Sequence, residues 1–539
     1  MALVVALVGG AIGAIEACGP GGFDGLTGGA RDAGVADATL PPTADPNLPA
    51  PRPIGPGSGS FVSTSRPSLR WELADPLTGA TLELCRARGC PTVDKTYEVS
   101  GRSFTVPEDL EPGVWFWRLR GKTSQTYGTK ASATWEIVVR GPAATGASPA
   151  VHGSIADVNG DGFADLIATQ SAPPPQAEFD DLLVFFGGPD GFPSRPSQRI
   201  PLGGRAPALA AGVDVNGDGF TDVVVASAGP VVGEDGGPIV TDAAPPIFID
   251  VYRGSEKGLV LGPEQPNIFE LPTLGSGLRE AGDVDGDGYG DVIATSTRSS
   301  FVLLGSANGL AGRVVAMSSE PLFPPTPGRI GLGGFDANGD GFADLLVGTT
   351  KRSAPAHLFF GAAGGLAAQN VGLDLKDGST YTSSALALAA GDFDGDAIVD
   401  LAFTATDEVP IPTVGVVNDV CFLRGPAPLL APGECVAGPT EKGFARSITP
   451  FDLDGDKRDD LLFRGSTSVI AFHLNEQGAF DELPGYTFGE DLALTTVLPS
   501  RPGLGLWAAA RPGQIWVIEG AKIKKTLVPD PFTTFGLIR

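Results

Sequence analysis

The sequence predicts an all-β protein built from repeated sheets, on three observations. A nine-residue acidic segment occurs six times, a β-branched and apolar run follows each copy, and a second apolar run then ends in a glycine turn in most of the repeats. Short apolar runs between glycine, proline and aspartate are typical of buried strands joined by turns. Recurrence at a nearly constant spacing indicates a repeat architecture, in which each repeat is one structural unit.

The acidic segment is represented by DVDGDGYGD at Asp283 to Asp291. The first aspartates of successive copies are 57, 69, 53, 56 and 60 residues apart. Each copy has oxygen-bearing side chains at positions 1, 3, 5 and 9, and four of the six have glycine at position 6. Calcium binds six to eight oxygens in flexible geometry, so carboxylates on alternate residues and the position-7 carbonyl can converge on one ion. The sequence therefore predicts up to six Ca²⁺ sites.

The predicted metal ligands are the side chains at positions 1, 3, 5 and 9 and the backbone carbonyl at position 7 of each copy. In chain order they are Asp157, Asn159, Asp161, Phe163 and Asp165; Asp214, Asn216, Asp218, Phe220 and Asp222; Asp283, Asp285, Asp287, Tyr289 and Asp291; Asp336, Asn338, Asp340, Phe342 and Asp344; Asp392, Asp394, Asp396, Ile398 and Asp400; and Asp452, Asp454, Asp456, Arg458 and Asp460.

The residues at position 12 distinguish these segments from an EF-hand, whose loop joins two helices and ends in a bidentate glutamate. Position 12 is alanine, valine or phenylalanine in all six copies and lies inside an apolar run. The loops are therefore expected to join two strands. A turn without metal is the alternative for any single copy, because aspartate, asparagine and glycine favour turns.

Two copies depart from the pattern at position 6, where the fifth has Ala397 and the sixth has Lys457. A residue other than glycine is strained where φ is positive. Lys457 and Arg458 also bring positive charge beside the expected cation, so we expect the sixth site to be the weakest.

Each repeat contains about four short strand patterns, with the acidic loop between the first and the second. A sheet of this size cannot bury both faces alone, so radial stacking is the expected solution. A seventh unit without metal ligands is visible at LPSRPGLGLWAA from Leu498, and QIWVIEG and TTFGLIR are expected to complete it and to help close the ring.

From about residue 146 onward the chain resembles the FG-GAP or VCBS repeats of integrin α-subunit propellers and their bacterial relatives. This resemblance implies a seven-bladed β-propeller over residues 146–539, with calcium-binding loops that stiffen the blades. In a four-stranded antiparallel blade the second turns lie on the face away from those loops. The long second turns at 171–180, 228–246 and 407–419 are therefore candidates for a ligand-binding face.

Residues 51–141 are expected to form a small β-sandwich that precedes the propeller, because short strand patterns recur there without an acidic loop. This segment has four of the six tryptophans, which we expect to form its core: Trp71, Trp115, Trp117 and Trp135. Strand alternation directs Trp115 and Trp117 inward, and Phe116 and Arg118 toward solvent. The run from Leu110 to Arg120 resembles fibronectin type III domains.

Residues 1–17 have the apolar character of a secretory signal peptide and are too short to span a bilayer. The sequence resembles a bacterial lipoprotein signal, which implies that Cys18 is lipidated. Residues 18–50 are rich in glycine, proline, alanine and aspartate and are expected to form a flexible tether.

The remaining cysteines form two close pairs, which in an exported protein indicate disulfides: Cys85 with Cys90, and Cys421 with Cys435. Half a zinc site is the alternative for the first pair, although no second ligand pair is nearby.

The net charge is −26, which argues against nucleic acid and anionic membrane surfaces as partners. We expect a non-enzymatic, lipid-anchored cell-surface protein, monomeric, whose propeller binds a protein or glycan. The alternatives are a propeller-based polysaccharide-active enzyme and a sugar-binding lectin. Against the enzyme, the chain has three histidines and lacks HExxH and GxSxG motifs; against the lectin, no repeated aromatic and polar set lies in register.

Overall fold

The structure is a computed structural model of the 539-residue chain. It describes residues 43–140, 151–171, 180–202, 205–228, 247–263, 277–295, 300–311, 314–316, 331–348, 356–373, 387–396, 398–406, 418–425, 435–437, 447–452, 456, 458–464, 468–475, 480–487, 494–499, 505–511, 514–519, 522–527 and 534–537. The predicted signal peptide, Cys18 and most of the predicted tether lie outside these residues. The predicted all-β class is confirmed, because all regular elements in the described ranges are strands.

Ten strands belong to the N-terminal part, which we call the sandwich (residues 43–140). They are β1 Thr43–Asp45, β2 Arg52–Gly55, β3 Ser60–Val62, β4 Ser68–Glu72, β5 Gly79–Cys85, β6 Lys95–Ser100, β7 Ser103–Thr105, β8 Gly113–Lys122, β9 Thr126–Ala131 and β10 Trp135–Val139. Strands β2, β4 and β7 form one sheet, and the other strands belong to the second sheet. Both sheets contribute to one apolar core, and the four tryptophans expected there are each at most 4% exposed.

The structured part of the chain begins earlier than the sequence analysis expects. Strand β1 pairs in parallel with β9, so that Thr43 lies opposite Thr126, and Leu48 is 5% exposed. The prediction of a tether up to residue 50 is therefore wrong for its last residues. A three-residue edge strand followed by a single buried leucine has too little apolar periodicity to be recognised in a segment rich in proline and alanine.

The outward orientation predicted for Phe116 and Arg118 is also wrong. Phe116 is 1% exposed and packs against Cys85 and Cys90. Arg118 is mostly buried, with its Nε 2.5 Å from an oxygen of Glu83. Strand alternation places these side chains on the second face of β8, as expected, but alternation does not reveal that the rest of the chain covers that face.

All of the remaining strands except β11 form seven antiparallel units of four strands in the described part of the chain. Six units are separate sheets, whereas the fourth is joined through β11 to the second sheet of the sandwich. Unit one contains β12 Leu166–Ser171, β13 Asp180–Phe185, β14 Gln198–Pro201 and β39 Thr534–Leu537; unit two contains β15 Arg205–Val213, β16 Asp222–Ala228, β17 Ile247–Arg253 and β18 Val260–Leu261; unit three contains β19 Gly277–Gly282, β20 Asp291–Thr295, β21 Ser300–Leu303 and β22 Val314–Ala316; unit four contains β23 Leu332–Phe335, β24 Asp344–Gly348, β25 Ala356–Ala362 and β26 Gly365–Leu373.

The last three units follow the same order. Unit five contains β27 Leu388–Gly391, β28 Asp400–Thr406, β29 Asn418–Leu423 and β30 Cys435–Ala437; unit six contains β31 Ser447–Phe451, β32 Asp460–Arg464, β33 Ser468–Leu474 and β34 Phe480–Thr487; unit seven contains β35 Leu494–Pro499, β36 Gly505–Arg511, β37 Gln514–Glu519 and β38 Lys522–Leu527.

Unit one combines strands from opposite ends of the repeated region. Strand β11, Val151–Ser154, pairs with β3 of the sandwich and with β23, and β39 takes the place beside β12. TTFGLIR therefore completes the first unit, and the expectation that it completes the seventh is wrong. Pairing between the last strand and the first unit links the two ends of the repeated region.

Neighbouring units pack against each other through the two faces of their second strands. Val223 and Val225 of β16 lie in one apolar cluster with unit one, whereas Val224 lies in another cluster with unit three. The same arrangement continues through units four, five and six. These strands are apolar at every position because both faces are buried, as expected for stacked blades of a β-propeller.

No helix that is long and apolar enough to cross a bilayer occurs in the ranges described above.

Candidate metal-binding loops

Each acidic segment lies in a loop between two strands, and we call these loops one to six, from 157–165 to 452–460. Loops two to six each connect the first two strands of a unit, whereas loop one connects β11 to β12. The aspartate at position 1 organises the loop backbone. Asp283 Oδ1 accepts the N–H groups of Gly286 at 2.7 Å and of Asp287 at 3.1 Å, and its Oδ2 accepts that of Gly288 at 2.9 Å.

The same three bonds are made by the position-1 aspartates of loops one, two and four, and Asp392 of loop five accepts the N–H of Gly395 at 2.8 Å. The glycines at positions 4 and 6 have positive φ, for example 73° at Gly286 and 85° at Gly288. Glycine adopts this conformation without steric strain, so it allows the loop to turn its N–H groups inward.

The middle positions add bonds of the same kind. In loop three, Asp287 Oδ1 accepts the N–H of Tyr289 at 3.0 Å. In the three loops that have asparagine at position 3, the amide nitrogen donates to the aspartate at position 5, as Asn159 does to Asp161 at 2.9 Å. These bonds hold the side chains at positions 3 and 5 close to each other.

The aspartate at position 9 joins the loop to the third strand of its unit. Asp291 Oδ2 accepts the N–H of Val284 at 2.8 Å, and its Oδ1 accepts the N–H of Gly305, also at 2.8 Å. Equivalent pairs of bonds occur in loops one, two, four and five, where the glycines are Gly187, Gly254, Gly361 and Gly425.

Sequence reasoning did not assign this glycine to the site. A Cβ at Gly305 would lie 2.5 Å from the carbonyl oxygen of Gly290, at position 8 of the same loop, and the other four glycines are equally close to their loops. A side chain would therefore separate the turn from the carboxylate that it binds. The available signal was the glycine that follows the third strand of each of the first five repeats.

Backbone hydrogen bonds also connect one loop to the next. The N–H of Gly290 in loop three donates to the carbonyl of Asp214 in loop two at 2.7 Å, and the N–H of Ala343 in loop four donates to the carbonyl of Asp283 at 2.8 Å. Loops five and six are linked in the same way through Asp459 and Asp392, at 2.8 Å. A change in one loop is therefore transmitted to its neighbour.

Burial raises the pKa of the loop carboxylates. Removal from water is the main cause, and it raises the pKa of Asp214 and of Asp283 to about 7, and those of Asp344 and Asp400 to about 8, because the charged form is poorly solvated. Neighbouring aspartates add to the shift, while backbone N–H groups oppose it. Without a cation, the charged form of these clustered carboxylates is therefore destabilised, and they bind protons more readily than exposed aspartates do.

The donor set fits a hard divalent cation. One carboxylate oxygen from each of Asp283, Asp285 and Asp287 can be chosen so that all lie within 4.8 Å of one another, and the same holds for Asp392, Asp394 and Asp400. All predicted ligand atoms are oxygens, which suit calcium better than they suit zinc or copper. These acidic clusters can hold a metal ion.

The sixth loop differs from the others. Asp454 and Lys457 lie outside the described residues. Within those described, His473 Nδ1 is 3.0 Å from Asp460 Oδ1, and Arg458 Nε is 3.7 Å from Asp456 Oδ2. Both side chains bring donors to oxygens that are predicted ligands; the weakness of the sixth site stays a prediction.

Disulfide bonds occur in both predicted regions. Cys85 and Cys90 are joined, with their Cα atoms 5.3 Å apart. Cys421 is also disulfide-bonded, and the β29–β30 ladder places it opposite Cys435.

The comparisons with known proteins agree with the repeat assignment. A family model described as an FG-GAP-like repeat matches residues 283–347, which include loop three and continue to the second strand of unit four. Residues 283–347 thus match an FG-GAP-like repeat, and the stacked four-stranded units fit a β-propeller.

Two curated relatives are integrin α chains of Drosophila melanogaster. Integrin alpha-PS5 is 35% identical over 159 residues, and integrin alpha-PS3 is 29% identical over 154 residues; each match covers 26% of this chain. The chain is therefore integrin α-like in this part. The matches span only 14% and 13% of the length of those relatives.

Two solved structures are also similar. A protein from Lactobacillus plantarum has a TM-score of 0.38 at 11% identity, covering 70% of this chain and 99% of its own. A quinonprotein alcohol dehydrogenase-like protein from Bacteroides thetaiotaomicron has a TM-score of 0.27 at 10% identity, covering 90% and 99%.

Replacing the turn glycine of unit one tests its assignment to the loop. A Cβ at Gly187 would lie 2.2 Å from the carbonyl oxygen of Ala164, whereas the nearest atom to a Cβ at Gly188 would be 3.8 Å away. We expect Gly187→Ala to destabilise unit one by about 1–3 kcal/mol, as overpacking does, and the control Gly188→Ala to change stability by less than about 0.5 kcal/mol. Thermal melting of both variants measures this, and equal melting temperatures would contradict the assignment.

The stability of the chain should depend on pH in opposite ways without and with calcium. Because the loop carboxylates have raised pKa values in the folded state, the folded protein binds protons that the unfolded chain releases between about pH 4 and about pH 8. In chelator, their contribution to stability therefore falls as pH rises through this window. A bound calcium ion would replace these protons, so the affinity of the loops for calcium should rise with pH.

The measurement is the difference between the melting temperatures in calcium and in chelator, taken from about pH 5 to about pH 8. Carboxylates outside the loops contribute equally to both melting temperatures, so their contributions cancel in the difference. We expect the difference to increase with pH. A constant difference would show that the loop carboxylates do not exchange protons for calcium.

Proposed function

We propose that this chain is a calcium-binding, non-enzymatic scaffold whose propeller presents a ligand-binding face at the cell surface. The observation that carries the proposal is the repetition of one loop. In loops one to five, the position-1 aspartate accepts the N–H of position 4, and the position-9 aspartate accepts the N–H of the turn glycine. A repeated structural site, rather than a single reactive centre, supports a stabilising role.

The proposed ions are Ca²⁺, up to six in number. Calcium would supply positive charge among carboxylates that burial and mutual repulsion otherwise destabilise. The chain supplies the cage: positions 1 and 9 fix the loop to its unit, and positions 3, 5 and 7 offer the remaining oxygens. Because the loops occur at the start of the second strands, ion binding would be coupled to the folding of the units.

A binding role is supported further by how the remaining polar groups are used. The loop aspartates accept backbone N–H groups, so these carboxylates already have a structural role. His357 Nδ1 lies 3.0 Å from Asn370 Oδ1, on paired strands of unit four, and His473 contacts Asp460. These two histidines are thus engaged by neighbouring strands, as expected for structural residues.

We propose that the ligand, a protein or a glycan, binds the face opposite the loops. Strands β12, β16 and β28 run from the loops toward that face, and the connections at 172–179, 229–246 and 407–417 follow them in the sequence. These connections, predicted as candidate ligand-binding segments, lie outside the described residues. The loop face is partly covered, because Arg52 and Arg88 of the sandwich bind loop carbonyls.

We also propose that the protein is exported, monomeric and held at the cell envelope through lipid on Cys18, with no nucleic-acid partner. Disulfides such as Cys85–Cys90 persist in oxidising compartments. The lipoprotein-like segment before Cys18 supports the anchor, and the net charge of −26 disfavours nucleic acid.

Removal of calcium should destabilise the full chain. An ion present at about 100 times its Kd stabilises a site by about 2.7 kcal/mol, so chelator should lower the melting temperature. We expect Asp283→Asn to remove about one bound ion, counted by elemental analysis after desalting, because this aspartate organises loop three. The control is Asp190→Asn, an exposed aspartate outside the loops. A melting temperature insensitive to chelator, with equal calcium in all three proteins, would refute the proposal.

The ligand face can be tested with a glycan array and a pull-down, each performed on the mature protein in calcium. We expect replacement of residues 230–245 by a short glycine-serine linker to abolish capture while calcium content is unchanged. The control, Asn308→Ala, alters an exposed residue in the third turn of unit three, on the loop face. Loss of capture in the control, but not in the linker variant, would place the ligand on the loop face instead.

A further inference from the structure

The sandwich lies directly against the loops of the first four repeats. Three of its arginines donate hydrogen bonds to loop carbonyl oxygens. Arg88 donates to Gly160 of loop one at 2.9 Å and to Gly219 of loop two at 2.7 Å. Arg52 donates to Asp287 of loop three at 2.5 Å, and Arg70 donates to Gly341 of loop four.

The loops expose these carbonyls because of how they fold. The position-1 aspartate draws the N–H groups of positions 4, 5 and 6 toward the inside of the loop, which leaves carbonyls of the same segment pointing outward. A guanidinium group is well suited to them, because it carries several N–H donors in a fixed plane and remains charged. The arginines therefore recognise the closed form of the loop backbone.

The glycines at position 6 face the sandwich in all four of these loops. A Cβ at Gly219 would lie 2.2 Å from the carbonyl oxygen of Thr134, and a Cβ at Gly341 would lie 2.4 Å from an Arg70 nitrogen. Gly288 would approach Arg52 to 2.8 Å, and Gly162 would approach the Phe116 ring to 3.4 Å. Close docking of the sandwich thus requires glycine at Gly219, where a Cβ would meet backbone, in addition to the positive φ.

Loops five and six have Ala397 and Lys457 at this position. In the described part of these loops, the side chain of Arg140 in the sandwich pairs with that of Asp459, at position 8 of loop six. Among the described loop residues, the carbonyls that bind sandwich arginines belong to the four loops with glycine at position 6. The docked sandwich thus gives a second reason, besides backbone conformation, for glycine at position 6 in loops one to four.

Arg88 is the most engaged of the three arginines. It lies inside the short Cys85–Cys90 disulfide loop, and its side chain is 12% exposed. Its guanidinium lies 4.2 Å from the centre of the Phe220 ring at position 7 of loop two, and Arg52 lies 5.1 Å from the Tyr289 ring at position 7 of loop three. These cation–π contacts tie the arginines to the residues whose carbonyls are proposed calcium ligands.

The charge at this interface is not balanced by the protein alone. Glu136 of the sandwich is 1% exposed and interacts with Asp157, the position-1 residue of loop one. One carboxylate oxygen of Glu136 is buried without a hydrogen-bond partner. Arg88 provides one positive charge, so two carboxylates face one guanidinium. A cation in loop one would restore the balance.

We propose that the sandwich is a cap that docks on the cation-loaded loops of the first four repeats, so that docking of the cap and calcium binding by these loops strengthen each other. This proposal rests on the proposed calcium binding. Closed loops present the carbonyls that the arginines bind, and docking excludes water from the loops and holds them closed. Such coupling is reciprocal: if calcium favours docking, docking must favour calcium by the same factor.

The proposal separates the loops into two classes. Calcium bound by loops one to four should depend on the arginine contacts, whereas calcium bound by loop five should not. When calcium is removed, the cap should separate from the loop face, which requires the short β3–β11 ladder to break as well. A cavity of about 300 Å³ lined by Arg70, Trp135, Glu280 and Tyr289 between the sandwich and the loops would then open to solvent.

The test uses the full chain and the double variant Arg52→Ala/Arg70→Ala, which removes two contacts at the partly exposed side of the interface and leaves Arg88 paired with Glu136. The control is Arg66→Ala/Arg102→Ala, which removes the same charge from exposed parts of the sandwich. Calcium titration followed by elemental analysis and by hydrogen exchange of each loop measures affinity. Small-angle scattering, with and without chelator, measures docking.

For the wild type and the control, we expect compact particles in calcium and a larger radius of gyration in chelator. The double variant should show the larger radius in calcium, and its loops three and four should bind calcium about fivefold more weakly or worse, within the usual range of coupling between sites. Loop five should be unchanged in all proteins, which shows that the variant is folded.

Equal calcium affinity and equal radius in the wild type and the double variant would overturn the coupling while leaving the proposed calcium binding intact. A wild type that takes up calcium and stays compact in chelator would do the same. A wild type that binds no calcium in any loop would overturn both proposals. Arg88→Lys provides a second check, because it keeps the charge beside Glu136 but not the bonds to loops one and two, and affinity equal to wild type in those loops would also contradict the coupling.

Discussion

In each repeat, one carboxylate at position 1 determines the shape of the loop. By accepting three backbone N–H groups, as Asp283 does, it closes a turn that would otherwise have unpaired donors. Hydrogen bonds to a charged acceptor are stronger than those to a neutral one. The same carboxylate is buried beside others, so its charged form is poorly solvated. The loop is thus well hydrogen-bonded, but its ionised carboxylates are costly in free energy, and a divalent cation would lower that cost.

The loops also connect the parts of the propeller. Asp291 accepts the N–H of Gly305, the turn glycine of its own unit. The N–H of Gly290 donates to the carbonyl of Asp214 in the preceding loop. Side chains of the second strands then pack alternately against the two neighbouring units. Stability of one unit therefore depends on the loop that begins its second strand and on the loops beside it, which is expected of an array of units with nearest-neighbour contacts.

Much of this architecture could be predicted from the sequence because its signals are local. The spacing of aspartates within nine residues predicts a closed loop, and the apolar run after Asp291 predicts a strand buried on both faces. What the sequence did not reveal depends on contacts between distant segments. Phe116 and Arg118 occupy the strand face that alternation predicts, yet no local pattern shows that the disulfide loop and the propeller cover that face. The pairing of TTFGLIR with the first unit is likewise a long-range contact. The sequence alone is compatible with a strand in either the first or the seventh unit.

Glycine at position 6 illustrates how one residue can satisfy two constraints. Positive φ explains it from the loop alone, and the contacts of Gly219 and Gly341 with the sandwich provide a second reason in the loops that face the sandwich.

The central claim is that the loop carboxylates bind calcium in the folded chain. Anomalous X-ray diffraction from crystals grown in calcium tests this most directly. We predict a peak inside each of loops one to five, with oxygens from positions 1, 3, 5, 7 and 9 at about 2.3–2.6 Å. Crystals saturated with calcium whose loops show no such peaks would contradict the account.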